Sequence, residues 1–175
     1  MHNRKLLNIE LGRVSAEEYR ELPDSGLVVV LDNVRSAHNV GSVFRTSDSF
    51  KIDKVFLCGI CAVPPSAEIH KSALGAEDSV QWEHFDDTLD AVRRLKEDGY
   101  TVVCAEQTVG SVMLDGFVPQ GRKYAVVFGN EVSGVRQDVV DAADFCLEIP
   151  QFGTKHSLNV SVSAGVILWH FRLHL

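Results

Sequence analysis

Long apolar runs are missing from this 175-residue chain. None approaches the ~18 residues that a membrane-spanning helix needs, so no membrane partner is expected. No apolar segment of the kind that marks a secretory signal follows Met1–Lys5. Proline and glycine are not in excess, at 5 and 13 residues, and nothing is low-complexity, which excludes collagen-like and wholly disordered chains. Basic charge is also scarce: 17 Lys and Arg face 24 Asp and Glu, for a net charge of -7. A surface that grips nucleic acid indiscriminately is usually strongly basic, so any such contact has to be local. Arg4, Lys5, Arg13, Arg35, Arg45, Lys51, Lys54, Lys71, Lys155 and His156 are the candidates for a local patch. The chain has no P-loop, no G-x-G-x-x-G and no H-E-x-x-H, so the usual nucleotide-binding and zinc-hydrolase motifs are absent.

Cysteine is sparse but not absent. Of Cys58, Cys61, Cys104 and Cys146, three lie in or beside apolar runs, the ordinary place for a buried reduced thiol. Cys58 and Cys61 form a C-x-x-C, but no second close pair completes a zinc site, and no metal is expected. A thiol redox site would need a helix starting at the first cysteine. Pro64 and Pro65 follow instead and disfavour helix.

With 45% apolar residues, the length suits one soluble, cytoplasmic domain over residues 1–175, with residues 1–26 as a short extension and no separate second domain. Leu27–Leu31, Lys54–Cys58, Thr101–Ala105, Tyr124–Phe128 and Phe145–Ile149 read as strands buried on both faces. Ser15–Glu18 is a capping-box pattern. Asp86–Leu89 opens a helix with an apolar stripe that Gly99 closes. The alternation predicts an α/β domain with a mostly parallel sheet. Leu158–Leu175 is apolar on more than one face: Val160, Ala164, Ile167, Leu168 and Phe171 make one stripe, and Val162, Val166, Trp169 and Leu173 extend it. A small domain has little room to bury a helix all round, which favours a helix shared with a dimer partner.

Polar residues with no reason to be in a core collect in three segments, each after a strand, where open α/β sheets bind ligands. In Asp32–Thr46, a helix starting near Asn39 or Val40 would put the N–H groups of Gly41 and Ser42 in its first turn, with Arg45 one turn on, an arrangement suited to a phosphate. Spacing alone favours the plainer reading, a helix cap followed by a surface arginine. In Val127–Val135, Gly129 and Gly134 bracket Glu131, either admitting a ligand to the backbone or making a tight turn. In Ile149–Asn159, Ser157 or Asn159 can cap the last helix, yet the stretch is dense in hydrogen-bonding groups.

In this order, the segments resemble the three motifs of the SpoU/TrmH-type RNA 2′-O-ribose methyltransferases of the SPOUT superfamily. Asn39-x-Gly41-x-x-x-Arg45-Thr46 is similar to the first, Phe128-Gly129-Asn130-Glu131-x-x-Gly134 to the second, and Ile149-Pro150-x-x-Gly153-x-x-x-Ser157-Leu158-Asn159 to the third. Gln151 stands where the family usually has methionine. The resemblance implies a parallel-sheet SPOUT fold with a C-terminal deep trefoil knot and a homodimer. It implies S-adenosylmethionine as cofactor, held at Gly129, Ile149 and Leu158, with Ala105–Thr108 as a further wall. The implied reaction methylates a ribose 2′-hydroxyl of RNA, tRNA ahead of rRNA. Arg45 is the implied catalytic group, positioned with Asn39, Glu131, Ser157 and Asn159. The competing expectations are a knotted RNA-binding or assembly module without activity and, more distantly, a thiol redox protein using Cys58 and Cys61.

Overall fold

A computed structural model describes residues 3–121 and 123–175; Met1 and His2 of the expected N-terminal extension lie outside the described residues. In chain order the elements are α1 (Ala16–Glu21), β1 (Leu27–Asp32), α2 (Ala37–Ser49), β2 (Lys54–Cys58), α3 (Ala67–Ala73), α4 (Ala76–Ser79), β3 (Gln81–Phe85) and α5 (Thr88–Glu97). They continue with β4 (Thr101–Ala105), β5 (Val112–Met113), β6 (Tyr124–Phe128), α6 (Gln137–Ala142), β7 (Phe145–Glu148) and α7 (Val160–His174). The strands form one seven-stranded sheet in the order β3-β2-β1-β6-β4-β7-β5. Every pairing is parallel.

The apolar runs follow from burial on both faces. In β1, Leu27, Val29 and Leu31 face one core with Phe44, Ile167 and Phe171 from α2 and α7. Val28 and Val30 face the other, with Val92, Leu95 and Val139 from α5 and α6. The capping signals act as expected: Ser15 and Glu18 form a capping box, Asp87 caps α5, and Gly99 follows that helix with φ +81°. Among the described residues, no helix is long and apolar enough to cross a membrane.

The structure differs from the sequence expectation at α2. The helix begins at Ala37, and the Asn39 N–H donates to the Ser36 hydroxyl. Gly41 and Ser42 therefore sit beyond the first turn, where their N–H groups belong to the helix ladder and cannot hold an anion. What Gly41 supplies is proximity. A Cβ there would overlap Ser72 Oγ and the Ile69 carbonyl oxygen, so α3 lies against α2 only because that side chain is missing. Strands β3 and β5 and helices α3, α4 and α6 were not anticipated. β3 is an edge strand of mostly exposed residues, and β5 has two residues, so neither writes an apolar run.

Replacing Gly41 with valine should separate α2 from α3 and destabilise the fold by ~1–3 kcal/mol, the usual cost of overpacking. Urea unfolding checks this, and an unchanged midpoint would show that the contact is not limiting.

Candidate active site

A cavity of about 270 Å³ opens at the C-terminal ends of β4, β6 and β7. Ala105, Glu106 and Gln107 form one wall; Phe128–Gly134 form a second; Ile149, Ser157 and Leu158 form a third. Val160, Ser163 and Ile167 of α7 complete it. Gly129, Ile149 and Leu158, expected at a cofactor, all line this cavity, as do Glu131 and Ser157. The second wall is a tight turn. The Asn130 side-chain oxygen accepts from the Val132 and Ser133 N–H groups, and Asn130 and Gly134 exchange backbone hydrogen bonds. A Cβ on Gly129 would overlap the Gly134–Val135 backbone, so only glycine lets the strand end fold back this sharply. Across the cavity, the Gln107 side chain donates to the His156 carbonyl at 2.7 Å, pinning the Ile149–Asn159 segment to the end of β4.

One hydrogen-bonded chain joins the three polar segments. The Glu131 carboxylate accepts from the Arg35 and Ser36 N–H groups at 3.1 and 3.2 Å and from the Asn39 amide at 2.7 Å. It thus occupies the start of α2, where an anion is favoured. The Asn39 side-chain oxygen accepts from the Asn159 amide at 3.2 Å, and the Asn159 oxygen caps α7 through the Ser161 N–H at 2.9 Å. Partial burial pushes the Glu131 carboxyl up. The donors from Asn39, Arg35, its own backbone and Ser36 outweigh this and hold it below the usual carboxylate range.

Arg45 is not brought to this cavity. It projects from the exposed face of α2 over a shallow depression lined also by His38, Ser42, Lys71 and Gly165. Sequence reasoning also missed Asp32. This fully buried carboxylate accepts from Thr88 Oγ1 at 2.6 Å and the Arg136 N–H at 2.9 Å, tying the end of β1 to the starts of α5 and α6. Those two partners are 56 and 104 residues away, and the third, the adjacent Asn33 amide at 2.9 Å, is no signal of them.

The C-x-x-C is structural. Cys61 Sγ accepts from the Val34 N–H at 3.2 Å and donates to the Leu31 carbonyl at 3.3 Å. Burial, with the neighbouring thiol, pushes Cys58 up to about 12, and burial pushes Cys61 up to about 11. Neither supplies the thiolate that redox chemistry requires. Among the described residues, no group of three or more His, Cys, Asp or Glu is placed to hold a metal ion.

Cys58 and Cys61 should therefore resist a thiol reagent such as dithionitrobenzoate in the folded protein at neutral pH and react on unfolding; rapid native labelling would contradict their burial. Glu131 gives a pH signature. Because its folded pKa is depressed, its stabilisation is present above the unfolded carboxylate value of ~4.3 and is lost as pH falls through the lower folded value. Glu131→Gln should be less stable than wild type at neutral pH, and the gap should close on acidification in paired thermal melts. A gap that does not change with pH would rule out this role.

The SpoU rRNA Methylase family profile matches residues 26–169. The 23S rRNA (guanosine-2′-O-)-methyltransferase RlmB of Nitrosomonas europaea is 38% identical over 158 residues, covering 87% of this chain and 58% of that protein. RlmB of Neisseria meningitidis is 31% identical over 147 residues, covering 84% and 58%. The chain thus spans less than two thirds of the length of these relatives. Among solved structures, an AdoMet-bound rRNA methyltransferase from Sinorhizobium meliloti superposes with a TM-score of 0.81 at 27% identity, covering 90% of this chain and 60% of that one. The A. aeolicus TrmH/SpoU tRNA modifying enzyme gives 0.78 at 28% identity, covering 91% and 81%. With the profile spanning the strands that frame the cavity and all three polar segments, this chain belongs to the SpoU rRNA Methylase family.

Proposed function

We propose that this chain is an RNA 2′-O-ribose methyltransferase that binds S-adenosylmethionine in the cavity at the ends of β4, β6 and β7. The observation that carries this reading is the Glu131–Asn39–Asn159 chain, which ties the Asp32–Thr46 segment to the two polar segments that line the cavity. The cavity fits the cofactor in chemical character: backbone-rich turns at Gly129 and Ile149, an apolar side from Leu158 and Ile167, and polar groups at Ser157 and Gln107. S-adenosylmethionine would supply an electrophilic methyl group. The chain's own task is to orient the ribose hydroxyl and stabilise the charge that develops on its oxygen.

Arg45 is the group proposed for that task. Its guanidinium is a planar fork of five N–H donors with no acceptor, so it serves the alkoxide and the neighbouring phosphate as a donor rather than as a base. Its distance from the cavity within one chain supports a homodimer in which Arg45 of one copy serves the cavity of the other. The exposed apolar face of α7 supports the same reading: Val162, Trp169 and Leu173 are 51%, 52% and 60% exposed, a face that a second copy would cover. We also propose that the C-terminal part is threaded as a trefoil knot. The pinned Ile149–Asn159 segment and the return of α7 to pack across the sheet beside α2 support it. Residues 1–175 are proposed to act as one methyltransferase unit, with residues 1–26 as a short extension. The relatives at 38% and 31% identity are named for 23S rRNA guanosine, which moves rRNA ahead of the tRNA expected from the motifs alone.

Nucleoside mass spectrometry of unmodified rRNA and tRNA, incubated with the protein and S-adenosylmethionine, tests the reading. A 2′-O-methylated nucleoside should appear, and Arg45→Ala should lower its formation by roughly 10²–10³-fold, the usual cost of losing one preorganised donor, while cofactor binding persists. Cofactor binding without methylation of either pool would favour the non-catalytic RNA-binding reading.

A further inference from the structure

The cavity carries negative charge without compensation. Glu106, Glu131 and Glu148 all line it, and among the described residues no Lys, Arg or His does. Glu131 is engaged at the start of α2, whereas Glu106 and Glu148 are half-buried carboxylates in the walls built after β4 and on β7. Both are held in place. Glu106 accepts from the Val135 N–H at 3.0 Å and the Gln107 N–H at 2.9 Å. It lies so close over Gly134, at φ +69°, that a Cβ there would overlap its Oε2. Glu148 accepts from the Ser111 hydroxyl at 2.6 Å. Preoriented carboxylates in a partly enclosed site set a field that favours a cation and is screened less than charge on an open surface.

We infer that this cavity discriminates by charge, holding a sulfonium cation and releasing the neutral thioether left after methyl transfer, with Glu106 and Glu148 as the discriminating residues. The inference rests on the proposed cofactor site. S-adenosylmethionine carries one more positive charge than S-adenosylhomocysteine, and the two are otherwise nearly the same shape. One extra unit charge in a site lined by fixed carboxylates is worth about tenfold or more in binding. Weak product retention follows directly, without any conformational step.

Calorimetric titration of the full chain with S-adenosylmethionine, S-adenosylhomocysteine and sinefungin tests this, since sinefungin replaces the sulfonium with a protonated amine. Wild type should bind the two cationic ligands about tenfold more tightly than the neutral one, with the ratio shrinking as salt is added. Glu148→Gln keeps an acceptor for Ser111 and should reduce the ratio about threefold while leaving S-adenosylhomocysteine affinity within twofold. Glu106→Gln should do the same, its folding checked by thermal melt. Each variant is compared with wild type, so charge contributed by a second copy cancels. Equal affinity for all three ligands, or equal losses for cation and neutral ligand in the variants, overturns the charge argument and leaves the cofactor site standing. No binding of any ligand overturns both.

Discussion

The site depends on a single carboxylate being satisfied. Glu131 follows β6, yet its partners are the two N–H groups that enter α2 and the Asn39 amide within it. An anion there complements the positive end of α2, and its hydrogen bonds fix how the turn after β6 meets that helix. Asn39 has one oxygen and one NH₂, and each is used toward a different segment: the NH₂ to Glu131, the oxygen to Asn159. Rotating that amide would break both contacts at once. The three segments are therefore coupled through one side chain that is 8% exposed.

Backbone carries most of the remaining precision. Gly41 lets α3 approach α2, and Gly129 lets the end of β6 fold back on Gly134 and Val135. At both places the missing side chain is a packing requirement rather than a source of flexibility. Asp32 adds a polar anchor at the end of β1, the strand beside β6, collecting the starts of α5 and α6. Buried and hydrogen-bonded on all sides, it makes the strand ends a rigid rim.

Much of this was legible from residues alone. The strands β1, β2, β4, β6 and β7 are apolar on both faces and so write continuous runs, and the caps at Ser15 and Asp87 lie where local chemistry puts them. β3 was not legible, because an edge strand has a half-wetted composition. The start of α2 was misplaced because Ser36 and Asn39 both look like caps, and only the hydrogen bond between them decides. Gly129, Ile149 and Leu158, singled out by motif position, line one cavity. The outward orientation of Arg45 was hidden, since the face a helix residue presents to distant segments is fixed by tertiary packing.

The strand order has a consequence for how the chain acquires this shape. β4 pairs only with β6 and β7, and β5 only with β7, so β3-β2-β1 stands alone as a half-sheet until residues 124–148 are available to extend it. In chain order β2 and β3 are the next strands after β1, so the other edge of β1, apolar from Leu27 to Leu31, has no partner until β6 is made. Parallel pairing across such sequence distances is slow because loop closure precedes any reward. The half-sheet is thus the species most exposed to intermolecular strand pairing, and the last third of the chain protects the first.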